Sequence, residues 1–67
     1  MDWKQIGYIT ANQEYYALTP TPLSSRIKNR VWQDKINKRY FLTKGSAICF
    51  THPNLEVVIM YGVESEV

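Results

Sequence analysis

A small α+β fold of the winged helix-turn-helix kind is what this sequence predicts, and three observations lead to it. Thr21-Pro22 followed by Leu23, Ile27 and Val31 has the start signal and the apolar spacing of a helix. Two segments rich in aromatic and β-branched residues, 39–43 and 47–51, flank Lys44-Gly45-Ser46 and read as a hairpin. Seven of the eight Lys and Arg residues fall within positions 26–44, with Asp34 as the one acid among them, so these elements should share a basic surface.

With 67 residues the chain has room for one small domain, expected over residues 1–67. A chain this short buries only about 60% of its unfolded surface, which calls for a compact core. At 45% hydrophobic and 21% charged residues the composition is that of an ordinary globular domain. The longest apolar run, Val57-Val58-Ile59-Met60-Tyr61, falls far short of the roughly 20 residues of a bilayer span. The N-terminal MDWKQIGYIT carries an acid and lacks the apolar region of a signal peptide. A single cysteine, Cys49, excludes a disulfide scaffold, and a reducing, cytoplasmic setting is the expectation.

Taken in order, residues 1–9 are a lead-in, with the β-branched stretch 6–9 as a short strand or an extended entry. Thr10-Ala11-Asn12-Gln13 has the T-x-x-Q form of a capping box, which predicts a first helix over 11–18. Thr19-Pro20 stops it. Thr21 caps the second helix and Pro22 occupies its first position, where no N–H is needed. Leu23, Ile27 and Val31 would form the buried stripe. The opposite face would then present Ser24, Ser25, Lys28 and Asn29, flanked by Arg26 and Arg30. Trp32 would plug the space between this helix and the hairpin wing, and Tyr15, Tyr16, Tyr40 and Phe50 would join the core. Trp3 would cover its open end. Thr51-His52-Pro53-Asn54 predicts a third helix over 54–61, with Leu55, Val58 and Ile59 inward and Gly62 ending it. The acidic tail 63–67 should fray.

The residues give catalysis little to work with. Cys49 sits in an apolar strand pattern, where a buried, inert thiol is expected, and His52 stands at a helix start, where it would cap or lie on the surface. One Cys and one His cannot form a tetrahedral zinc site, and no phosphate-binding glycine loop is present. A non-enzyme without metal or cofactor is the expectation. Binding of double-stranded DNA has direct physical support. A helix fits the major groove, where Arg pairs with guanine and Asn with adenine. Ser25, Arg26, Lys28, Asn29 and Arg30 would face the bases, and Thr21 and Ser24 a phosphate. A wing tipped by Lys44-Gly45-Ser46 would lie on the backbone or reach into the minor groove, with Lys38 and Arg39 beside it.

The run ITANQEYYALTPTPLSSRIKNRVWQDKINKRYFLTKGSAICFTHPNLEVVIMYG resembles the small phage excisionases, recombination directionality factors with a MerR-like winged helix. The shared pattern is a short helix, a turn, a helix with spaced arginines, a Trp-containing link, a hairpin and an Asn-Leu-Glu helix start. Pro20 stands where that family has glycine in the turn, and Arg30 where a glycine closes its second helix. The resemblance implies a monomer in free solution whose copies bind side by side at an attachment site, bend the DNA and contact an integrase. Such bending costs on the order of 1–6 kcal/mol, which cooperative contacts would offset. A small repressor of phage promoters and a module that grips a host protein are the rival expectations.

Overall fold

The structure, a computed structural model, describes residues 2–18 and 27–64. Five strands and one helix follow one another: β1 (Trp3–Thr10), β2 (Tyr15–Ala17), β3 (Ile27–Asp34), β4 (Arg39–Lys44), β5 (Ala47–His52) and α1 (Leu55–Glu64). The strands form one antiparallel sheet in the order β2-β1-β3-β4-β5. Helix α1 lies against one face of it.

This overturns the winged helix-turn-helix. The expected first helix is a tight turn followed by β2, and the described part of the expected second helix belongs to β3. Both errors have a physical origin. Thr10 does use its hydroxyl on a following amide, Glu14 N at 3.4 Å, as a capping residue would. Its backbone, however, is paired with that of Glu14 (Thr10 N to Glu14 O, 2.9 Å), and Gln13 turns the chain at φ 63°. The same side-chain chemistry closes a hairpin as readily as it opens a helix. The spacing of Ile27 and Val31 is ambiguous in a similar way. Positions four apart share a face of a helix and also of a strand, since four is a multiple of two.

The hairpin expected at 39–51 is present, with Gly45 at φ 63° in its turn, where an L side chain would be strained. The third helix is present too. Asn54 caps it by accepting Glu56 N at 2.9 Å, and His52 Nδ1 in turn accepts Asn54 N at 2.9 Å. Gly62 does not end it, for the helix continues to Glu64.

The core lies between α1 and the sheet, where Ile9, Val31, Leu42 and Val58 are each at most 1% exposed. Ile6, Tyr15, Tyr40, Phe50, Leu55 and Val63 pack around them. Gly62 is where the helix meets the sheet, since a Cβ there would overlap Ile9 Cδ1 and come within 3.1 Å of Leu42 Cδ1. At the end of α1, Lys28 Nζ donates to Gly62 O at 3.1 Å, a cation on the negative end of the helix dipole. Lys28 is the extra residue of a bulge, since Ile9 pairs with Asn29 and Thr10 with Ile27. That slip turns Ile27 outward, leaving it 39% exposed. Cys49 is exposed rather than buried, because a second register shift on β5 sets it outside the alternation.

Candidate functional site

Pairing across the strands places side chains row by row on the face away from α1. Tyr16, Tyr8, Arg30 and Thr43 form one row; Gln5, Trp32, Phe41 and Thr51 form the next. Trp3, Asp34 and Arg39 form a third. Within these rows Tyr8, Asp34 and Thr43 are buried, whereas Trp3, Trp32 and Phe41 are half-buried and Arg30 is exposed.

Its centre is aromatic. The rings of Trp3 and Phe41 stack with centroids 4.5 Å apart and planes 28° apart. Trp32 does not plug the core. It is Phe41's cross-strand partner on the outer face, half-buried, and its indole N–H donates to Thr43 Oγ1 at 2.9 Å. The indole of Trp3 hydrogen-bonds Asp34. Both indoles are thus held by their polar edge, which fixes the rings and leaves neither N–H free for another acceptor. Tyr16 also belongs to this side rather than to the core. Its hydroxyl donates to Glu14 at 2.7 Å, and that bond raises the phenol's pKa above its ordinary value.

Cations flank the rings. Arg30 is exposed; Arg39 is half-buried and donates Nε–H to Thr51 Oγ1 at 3.2 Å. Neither has a carboxylate partner among the described residues. The nearby acid is already engaged. Asp34 is buried, and its oxygens accept Ile36 N at 3.0 Å, Asn37 N at 3.2 Å and Asn37 Nδ2 at 3.0 Å. The Asn37 side-chain amide, then its backbone N–H, hold the Asp34 carboxyl below the usual carboxylate range, against the opposing effect of burial.

The residues expected to touch DNA are dispersed. Thr21, Ser24, Ser25 and Arg26 lie outside the described residues. Asn29 cannot read a base, being 6% exposed with its amide donating to Thr43 O at 3.3 Å. Lys28 is committed to the end of α1. Arg30 and Arg39 reach the outer face, Lys38 stands in the β3–β4 turn, and Lys44 and Ser46 are exposed at the other end of β4. Six residues of strand, roughly 20 Å, separate those two ends. Sequence reasoning missed Trp3 and Phe41 as surface residues. The signal was there in the alternation Arg39, Phe41, Thr43, whose odd positions share one face with polar neighbours.

A groove of about 480 Å³ opens beside the β3–β4 turn, lined by Gln33, Asp34, Lys35, Lys38, Tyr40 and Pro53. Among the described residues no group of three or more His, Cys, Asp and Glu is placed to hold a metal, and no helix is long and apolar enough to cross a membrane. No family model matches this chain, and no curated protein or solved structure matches it.

Proposed function

We propose that the chain binds single-stranded nucleic acid on the outer face of its sheet, with bases stacking at Trp3, Trp32 and Phe41 and phosphates meeting Arg30 and Arg39. The observation that carries this reading is the aromatic cluster itself, half-exposed, fixed by its indole N–H bonds and bordered by two guanidinium groups without carboxylate partners. Aromatic rings on a flat sheet take up bases that are already unstacked, and each stacked base is worth about 1–3 kcal/mol. Positions two apart on a strand are roughly 7 Å apart, so several rows of the sheet can engage successive nucleotides. Glu14, bonded to Tyr16, makes the β2 side unfavourable for a polyanion and confines the strand to the region of β3 and β4.

The chain's two tryptophans both lie on this face, so tryptophan fluorescence reports on it alone. Titration with short homopolymeric DNA and RNA at low salt should quench that emission. Trp3→Ala and Arg30→Ala should each weaken binding, and the affinity should fall as salt rises. Absence of quenching by any single strand at low salt would remove the reading. Preferential retention of duplex over single strand would restore the expectation of an excisionase or repressor acting on double-stranded DNA.

A further inference from the structure

The groove at the β3–β4 end points to a second site, and we propose that it binds a phosphomonoester attached to a planar ring, in chemical terms a mononucleotide. Its volume of about 480 Å³ suits a ligand of that size. The groove shares Asp34 with the outer face, but Gln33 and Tyr40 are cross-strand partners on the side of the sheet that carries α1.

Donors dominate the lining. The side chains of Gln33, Lys35, Lys38 and Tyr40 make no hydrogen bond or ion pair among the described residues. Asp34, the acid that would repel an anion, has both oxygens occupied by the turn it stabilises. Lys35 and Lys38 against the single carboxylate of Asp34 leave the lining net positive. Lysines act as point charges and suit a phosphate, whereas a planar carboxylate is better matched by the fork of an arginine. The ring of Tyr40 and Pro53 supply the apolar wall on which a base can lie.

The backbone adds an independent observation. Lys38 sits at φ 56°, in the left-handed region, where Gly or Asn would be relaxed. A lysine in that conformation among the residues lining the groove fits a binding role better than a role in stability. This inference stands apart from strand binding on the outer face.

The test is a two-dimensional amide NMR titration of the full chain with inorganic phosphate, adenosine monophosphate and adenosine. Phosphate and the nucleotide should shift the amides of Gln33, Lys35, Lys38 and Tyr40, the nucleotide at lower concentration, and adenosine should not. Lys38→Gly keeps the turn's conformation open to it and should weaken the nucleotide about fivefold, the worth of one exposed ion pair. Arg30→Ala, which lies outside the groove's lining, should leave that affinity unchanged, so that failure of the outer-face reading is seen separately. Equal shifts from adenosine and its monophosphate, or an affinity unaltered by Lys38→Gly, would overturn the proposal, as would no shift at all. A 5′-phosphorylated oligonucleotide bound more tightly than its 5′-hydroxyl twin identifies a strand end as the source of the phosphate. Equal binding of the two, with the nucleotide shifts retained, identifies the free mononucleotide.

Discussion

The indole of Trp3 stacks on the ring of Phe41, although β1 and β4 are not neighbours and β3 runs between them. The two rings bridge the central strand on the outer face, and Asp34 of that strand fixes the indole N–H. The contact therefore ties three strands together at a place the helix does not reach. A double-mutant cycle of Trp3→Ala and Phe41→Ala, followed by urea unfolding, should give a coupling of about 0.5–1.5 kcal/mol. A coupling of zero would mean that the rings bury area independently.

Gly62→Ala sets two effects against each other. Replacing a helical glycine by alanine stabilises by about 1 kcal/mol. Here the new methyl meets Ile9 and Leu42, which are 0% and 1% exposed and have nowhere to go. Overpacking of a core costs about 1–3 kcal/mol, so a net loss of stability is expected. A midpoint that rises in denaturant would show that the helix can lift off the sheet.

Asn29 and Arg30 are adjacent in β3 and should fail in different ways. Asn29→Ala removes the partner of Thr43 O inside the protein and should cost about 1–3 kcal/mol of stability. Arg30→Ala, at an exposed position, should move the melting temperature by no more than about 2–4 °C, the scale of surface substitutions. It should weaken single strands nevertheless. Equal melting of the two variants would refute the burial of Asn29.

Asp34 sets a pH dependence with a definite sign. Its folded pKa is below the ordinary value, so its contribution is complete above the unfolded-state pKa and disappears as pH falls through the lower folded one. Melting temperature should therefore decline below about pH 4. Asp34→Asn should be less stable at neutral pH and flatter through the acid range. An unchanged acid limb in that variant would assign the decline to other carboxyls.

Lys38→Gly should stabilise the protein, since a non-glycine residue in the left-handed region costs about 1 kcal/mol. Thermal unfolding measures it directly. A loss of stability would mean that the lysine side chain supports the turn.

Segments whose signals are local were legible from the chain alone. The turn glycine at 45 between two β-branched runs specifies a hairpin. Asn54 after Pro53, with Leu55 and Val58 facing in, specifies a helix. Residues 6–9 were legible only as a short strand or an extended entry, and β1 runs from Trp3 to Thr10. Segments whose signals fit two periods were not. Val31 and Ile27 suit a helical stripe as well as a strand, and Thr10 suits a cap as well as a hairpin turn.

What the sequence determined by itself was therefore the hairpin, the last helix and the concentration of positive charge at 26–44. The tertiary structure decided where that charge goes. Pairing of β3 between β1 and β4 satisfies its backbone on both sides and sets Asn29 inside, where its amide donates to Thr43 O. The bulge at Lys28 then sends one cation to the end of α1, and strand alternation sends Arg30 outward beside Trp32. Long-range register sets these directions, because one residue of slip exchanges the two faces of a strand.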